Sequence, residues 1–152
     1  MTLLNMNTKM KTLITAISLI FFIQIGFAQD AEMITDWIKA KEVAKKENKR
    51  ILIILTGSEW CAPCKKMDKN VIEKSEFQKY AKQNLVLFLI DLPGGGLIIN
   101  SKVYQEYENF KNAYQTTALP SLILTDYDGS KINVLKGKMF SFENIMKQLK
   151  SE

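Results

Sequence analysis

The chain has 152 residues, of which 47% are hydrophobic and 24% are charged. This length favours one hydrophobic core, and the composition excludes a disordered or fibrous protein. The formal net charge of +5 comes from lysines spread among acidic residues, a pattern typical of solvated helix faces. We therefore expect one globular domain and no nucleic-acid partner.

The start of the chain differs in character from the rest. Two lysines precede an uncharged stretch at 12–29 that is apolar at its centre, and small residues follow at Gly26 and Ala28. This order is typical of a secretory signal peptide. We therefore predict a signal peptide at 1–28 and a mature domain at 29–152 that is periplasmic or secreted.

An uncleaved membrane anchor is the alternative, because about 18 uncharged residues is the lower limit for a membrane-spanning helix. Thr15, Ser18 and Gln24 interrupt the stretch, which favours a cleaved signal and no stable membrane insertion afterwards. Export would place the two cysteines, Cys61 and Cys64, where disulfides persist and dithiols exchange with partner proteins.

Apolar periodicity predicts a succession of helices and strands in the mature domain. In chain order they are a helix at 31–48 capped by Asp30, a buried strand at 51–55, a helix from 63 to about 69, a helix at 75–83, a buried strand at 85–90, a helix at 101–114, a strand at 121–124, a strand at 131–135 and a final helix capped by Ser141. In the first helix we expect Ile34, Trp37, Ile38 and Ala44 to face inward.

This order predicts an α/β fold with a central mixed β-sheet flanked by helices on both faces. The last two strands are expected to form an antiparallel hairpin. The glycine-rich segment at 93–96 is not followed by Gly-Lys-Ser/Thr, so a phosphate-binding loop is disfavoured. We interpret it as an irregular surface loop, with contact to a partner as the alternative.

Both cysteines lie in the segment Trp-Cys-Ala-Pro-Cys-Lys at 60–65, just after the first predicted strand. Cys61 would begin a helix, where unpaired N–H groups and the helix dipole favour a thiolate. Cys64 follows one turn later and is placed to attack a mixed disulfide formed by Cys61. Pro63 suits the first helical turn, and Trp60 is expected to cover the site.

The cysteine pair has three alternative interpretations. A structural zinc site needs four Cys or His ligands, and the chain has two cysteines and no histidine, so neither a metal nor another cofactor is predicted. A purely structural disulfide is disfavoured because closing so short a loop removes little unfolded-state entropy. Two unreactive core cysteines are the third alternative. A redox-active dithiol explains the motif best.

The segment at 59–65 after an apolar strand, with Leu119-Pro120 before a later strand, resembles the thioredoxin superfamily. The resemblance implies a thioredoxin fold and a thiol:disulfide oxidoreductase that works through Cys61 and Cys64. It implies that Pro120 is a cis-proline packed against the cysteines, with an ordinary trans-proline as the alternative. It also implies that the backbone of Leu119 pairs with an extended substrate segment.

Within the superfamily, the motif at 57–68 and the export signal look more like secreted proteins related to the C-terminal domain of the periplasmic electron carrier DsbD than like cytosolic thioredoxin. This implies a reductase of disulfides in exported proteins, recharged by a membrane electron donor of the DsbD type. An isomerase or an oxidant is the alternative direction. A binding or chaperone module with incidental cysteines is the alternative function.

One departure from the family concerns proton transfer. Thioredoxin carries a buried carboxylate on the strand before the motif, and its counterpart by spacing is Leu55. The candidate proton acceptors for Cys64 are therefore Glu59 or a water, with a plain exposed side chain as the alternative interpretation of Glu59. Lys65 and Lys66 either stabilise the thiolate or face solvent.

Overall fold

The structure is a computed structural model, and it describes residues 30–94, 101–136 and 141–151. The predicted signal peptide with its cleavage point lies outside these ranges, as does the end of the 93–96 loop. None of the helices within the described ranges is long and apolar enough to cross a bilayer.

One mixed sheet forms the centre of the domain. Its strands are β1 (Met33–Ile34), β2 (Arg50–Thr56), β3 (Leu85–Asp91), β4 (Ser121–Thr125) and β5 (Lys131–Lys136). The helices are α1 (Trp37–Glu47), α2 (Ala62–Met67), α3 (Ser75–Asn84), α4 (Lys102–Ala113) and α5 (Phe142–Ser151), with a π-helix (Asp68–Ile72) directly after α2. The strand order is β1-β3-β2-β4-β5, with β1, β3 and β2 parallel and with β4 and β5 antiparallel to their neighbours. The predicted parallel centre and terminal hairpin are confirmed.

Helices cover both faces of the sheet, as predicted. Alternate side chains of a strand point to opposite faces, so β2 contributes to two cores. Leu52 and Ile54 pack with side chains from α2, α3 and α5, whereas Ile51, Ile53 and Leu55 pack with side chains from α1 and α4. The unbroken apolar run of β2 follows from burial on both faces.

The helix predicted at 31–48 is shorter in the structure, because its first residues form β1 and pair with β3. The helix begins at Trp37, and its cap is Asp36 instead of Asp30. The Asp36 Oδ1 atom accepts a hydrogen bond from the Lys39 N–H at 3.0 Å. The backbone groups of β1 are paired with those of β3, which lies far away in the sequence. The local helical pattern therefore does not decide the structure of these residues.

The prediction that Ile38 faces inward is wrong, because its side chain is 67% exposed. The inward stripe of α1 includes Trp37, Ala40 and Ala44, which lie three and four residues apart. Ile38 is rotated about 100° from Trp37 around the helix axis and so reaches the outer face.

The capping of α5 agrees with the prediction. The Ser141 Oγ atom accepts a hydrogen bond from the Asn144 N–H at 3.3 Å, which satisfies one unpaired donor of the first turn. Ile145, Met146 and Leu149 are buried in the core shared with α2 and α3.

Candidate active site

The cysteine motif begins where β2 leaves the sheet. The N–H of Cys61 donates to the Gly57 carbonyl at 2.9 Å, which folds the chain back into α2. A Cβ atom on Gly57 would lie 2.7 Å from the Trp60 ring, so only glycine allows this approach without displacing the indole. The loop therefore has a fixed path from the strand to the first cysteine.

Cys61 is the N-cap residue of α2. Its backbone is extended, and its sulfur accepts a hydrogen bond from the Cys64 N–H at 3.3 Å. Pro63 lies in the first turn, where the N–H that proline lacks would have no helical partner. A thiolate at Cys61 would receive this hydrogen bond and the field of the helix N-terminus.

The two cysteines form a disulfide in the structure, with 5.2 Å between their Cα atoms. Cys61 retains 7% of its exposure, whereas Cys64 is fully buried. An external thiol or disulfide therefore reaches Cys61 first. The arrangement suits attack at one sulfur and resolution by the other.

Hydrogen bonds tie the motif to the end of β3. The Trp60 Nε1–H donates to the Leu92 carbonyl at 2.9 Å, although the indole remains 48% exposed. The Ser58 N–H donates to Asp91 at 2.8 Å, and the Ser58 hydroxyl donates to the other oxygen of the same carboxylate. These contacts hold the loop against the end of β3.

Glu59 points to the segment after β3. It is exposed, and its carboxylate accepts a hydrogen bond from the Gly94 N–H at 3.0 Å. Lys65 and Lys66 are exposed on α2.

The peptide bond between Leu119 and Pro120 is cis. Pro120 is buried and Leu119 is half-buried. The next residue, Ser121, pairs with Leu55 of β2, so the cis bond lies beside the end of the strand that leads to the cysteine motif. The structure thus brings both halves of the sequence-predicted site to one edge of the sheet.

Leu55, the counterpart of the thioredoxin carboxylate, is fully buried among apolar side chains of the α1 and α4 face. That face offers no carboxylate at the position where thioredoxin has one.

A polar cluster on the opposite face was not predicted as part of the site. It consists of Thr56 and Asp91, with the Asp68 carboxyl close enough to Asp91 to be affected by its charge. Thr56 pairs with Asp91 across β2 and β3, and strand alternation puts both side chains on the α2 side of the sheet. Two features of the sequence are signals for this cluster. The alternation of the two strands continues past their apolar runs to Thr56 and Asp91, and Asp68 follows Cys64 by four residues.

Within the polar cluster, burial raises the pKa of the Asp68 carboxyl above its ordinary value, and the negative charges of Glu73 and Asp91 raise it further. The Thr56 hydroxyl is buried and has no hydrogen-bond partner among the described residues. Within the same residues, no group of three or more His, Cys, Asp or Glu side chains is arranged to hold a metal ion.

Two curated proteins of Chlamydia pneumoniae are similar to the chain. The disulfide bond reductase DsbH is 29% identical over 96 residues, which are 63% of this chain and 57% of that protein. The thioredoxin-related protein DsbJ is 26% identical over 97 residues, which are 64% of this chain and 28% of that protein. The chain thus spans less than two thirds of the length of either relative.

Solved structures agree on the fold. A DsbH oxidoreductase is 25% identical with a TM-score of 0.69, over 82% of this chain and 85% of that one. A thioredoxin from Thermus thermophilus is 13% identical with a TM-score of 0.62, over 81% and 87% of the two chains, and shares the fold. A family model for the thioredoxin-like domain matches residues 38–151, so the chain belongs to the thioredoxin-like domain family.

Proposed function

We propose that the protein is a thiol:disulfide oxidoreductase that reduces disulfides of exported proteins. The observation that carries the proposal is Cys61 at the N-terminus of α2, where its sulfur accepts the Cys64 N–H and is bonded to the Cys64 sulfur. The family match and the similarity to a disulfide bond reductase support the same activity.

In the proposed reaction, Cys61 is the nucleophile and Cys64 is the resolving cysteine. The Cys61 thiolate attacks one substrate sulfur, forms a mixed disulfide and expels the other substrate sulfur as a thiolate. Cys64 then loses its proton and attacks the Cys61 sulfur, which breaks the mixed disulfide. The substrate leaves with two electrons, and the protein is left with the Cys61–Cys64 disulfide.

The substrate would bind beside this pair on Trp60, Leu119 and Pro120. The half-exposed indole and the half-buried Leu119 offer apolar surface, and the backbone of Leu119, just before β4, would pair with an extended peptide. Pro63 would keep the redox turn rigid, and Lys65 would add positive charge near the thiolate.

A reducing direction is supported by Ala62-Pro63 between the cysteines, which resembles the reducing end of the superfamily. The name of the DsbH relative points the same way. Residues 1–28 are proposed to be a signal peptide that sends the protein to the periplasm or outside the cell. A membrane electron donor of the DsbD type would then return the disulfide to the dithiol.

The direction is tested by titrating the tryptophan fluorescence of the purified domain, residues 29–152, against glutathione redox buffers. A reduction potential between about −270 and −200 mV is expected for a reductase. A value well above about −200 mV would identify an oxidant instead.

The roles of the two cysteines are tested with substitutions. After challenge with an oxidised protein substrate, Cys64→Ser should accumulate a mixed disulfide through Cys61, visible by intact-mass analysis. Cys61→Ser is the matched control and should form none, because Cys64 is fully buried. Cys61→Ser should also lose insulin reduction. If it keeps full biological activity nonetheless, a binding module with incidental cysteines explains the protein better.

A further inference from the structure

Two exposed side chains of different chemistry directly precede the reactive cysteine in the chain. Glu59 carries a carboxylate, and Trp60 carries an indole that is 48% exposed. The proposed reaction uses the indole as apolar surface and gives the carboxylate no part in substrate binding. Both side chains are held in place by the segment that follows β3, and this shared support suggests a shared ligand.

The Glu59 carboxylate is held by a backbone group. Its Oε2 atom accepts a hydrogen bond from the Gly94 N–H at 3.0 Å. A Cβ atom on Gly94 would lie 3.0 Å from that oxygen and 3.4 Å from the Glu59 Cβ atom, so the side chain packs closely along the glycine. An exposed glutamate without such a contact samples several rotamers, and ordering it on binding costs free energy. Here the hydrogen bond orders the carboxylate before a substrate arrives.

The Trp60 indole is held by the same segment. Its Nε1–H donates to the Leu92 carbonyl at 2.9 Å, and a Cβ atom on Gly94 would lie 3.5 Å from its Cδ1 atom. Gly94 thus lies against both the carboxylate and the indole, which places a negative charge beside an aromatic ring. A cation is attracted to a carboxylate by its charge and to an indole by the quadrupole of the ring. The pair is therefore suited to a positively charged group.

The carboxylate is not paired with a cation of the protein itself. The chain has 21 lysines and arginines, but within the described ranges Glu59 forms no ion pair, and neither do Lys65 and Lys66 of α2. Asp91 brings a second carboxylate to the same loop, where Ser58 holds it through two hydrogen bonds. A positively charged group from outside therefore meets an unpaired carboxylate at the start of the redox motif.

We propose that Glu59 and Trp60 together bind a lysine or arginine side chain that neighbours the substrate cysteine attacked by Cys61. The aliphatic stem of such a side chain packs on the indole, and its charged end pairs with the carboxylate. Disulfides flanked by basic residues are therefore the preferred substrates. This inference rests on the proposed oxidoreductase function, and it adds a charge preference to the apolar surface of Leu119 and Pro120.

The expected preference is modest, because both groups are exposed. An exposed ion pair and an exposed cation–π contact each change an affinity by roughly twofold to fivefold. Together they should make the second-order rate constant about fivefold to tenfold larger for a basic than for a neutral peptide. Salt screens exposed charges, so the preference should shrink when the salt concentration is raised to about 0.5 M.

The test uses disulfide-linked dimers of two short peptides in which the residues flanking the cysteine are both lysine or both glutamine. The reduced protein is mixed with each dimer, quenched with acid and analysed by intact mass, which gives the rate constant for its oxidation. Glu59→Gln keeps an oxygen for the Gly94 N–H but removes the charge, so it should lower the lysine-to-glutamine rate ratio about threefold. Glu42→Gln, an exposed change on α1 with the same change in net charge, is the matched control and should keep the ratio.

The comparison between variants is decisive, because lysine also lowers the pKa of the neighbouring substrate thiol and so speeds its departure from any attacking thiolate. An equal ratio in the unaltered protein and in Glu59→Gln would overturn the role of the carboxylate. Trp60→Leu keeps apolar surface without an aromatic ring and should lower the ratio about twofold, and an unchanged ratio would overturn the role of the indole. Failure of the unaltered protein to react with either peptide would instead overturn the proposed function itself.

Discussion

The ionisation of Asp68 affects the stability of the fold. Its pKa in the folded protein is raised above the ordinary value of 3.8 by burial first and by Glu73 and Asp91 next. The folded protein therefore holds this proton more tightly than the unfolded chain does. Its contribution to stability is fully present below about pH 4 and is lost as the pH rises through the folded-state pKa. The ionised carboxylate thus destabilises the protein at neutral pH.

Replacing this residue should therefore stabilise the protein. Asp68→Asn is expected to raise the urea midpoint at pH 7, because the neutral amide replaces an ionised carboxylate. The gain should shrink at about pH 3.5, where the folded protein holds the Asp68 proton. Parallel urea titrations at both pH values measure the difference, with Glu42→Gln as the exposed control. A gain of equal size at the two pH values would mean that ionisation of Asp68 is not its cause.

At the scale of single elements, α1 shows how a neighbouring strand changes a helix. The pairing of β1 with β3 moves the start of the helix to Trp37 and its cap to Asp36. The inward stripe then passes through Ala40, while Ile38 lies in solvent. The small alanine side chains let α1 pack closely against the sheet.

This packing makes opposite predictions for two residues of one helix. Ile38→Glu should change the free energy of unfolding by less than about 0.5 kcal/mol, because the side chain is 67% exposed. Ala40→Leu should cost about 1–3 kcal/mol, because Ala40 is fully buried and the added atoms overpack the core. Chemical denaturation of both variants measures the two values. A large loss of unfolding free energy in Ile38→Glu would mean that Ile38 faces the core.

The sequence predicted the long elements better than their ends. The apolar runs that form β2 and β3 are recognisable because both sheet faces are covered, and no such pattern marks the two residues of β1, whose pairing is non-local. The change to π-helical winding at Asp68 likewise has no local signal.

For the site, the motif and the resemblance predicted the cysteine pair and the cis bond before Pro120. The polar cluster escaped prediction because it depends on which face of the sheet each side chain occupies. Thr56 and Asp91 become neighbours only through the register of two strands that are separated in the chain by two α-helices and the π-helix.

At the scale of the whole molecule, the site and a polar contact of α5 with Arg50 lie at opposite ends of the sheet. The cysteine motif follows the carboxyl end of β2, whereas Arg50 is the first residue of that strand. The Arg50 Nη2 group donates to the Tyr80 hydroxyl at 2.9 Å and to the Leu149 carbonyl at 2.7 Å. The Tyr80 hydroxyl donates to the same carbonyl at 2.6 Å, so these contacts join β2, α3 and α5.

Stability and chemistry should therefore separate in Tyr80→Phe. Loss of the hydroxyl is expected to cost about 1 kcal/mol of unfolding free energy and to leave the rate of disulfide reduction unchanged. Tyr127→Phe, at an exposed tyrosine, is the matched control and should change neither quantity. Denaturation and insulin reduction, measured on the same samples, check both expectations. A slower reaction in Tyr80→Phe would show that the two ends of the sheet are coupled.

Residues 30 and 31 mark the place where the chain enters the domain. The Ala31 N–H donates to the Gln78 side chain at 2.7 Å, and Asp30 and Ala31 lie with Lys49 and Lys82 near the starts of β2 and β3. The chain thus enters the domain at the end of the sheet opposite to Cys61. A domain held to a membrane or a bead through this end would turn its reactive sulfur outward, toward whatever protein approaches.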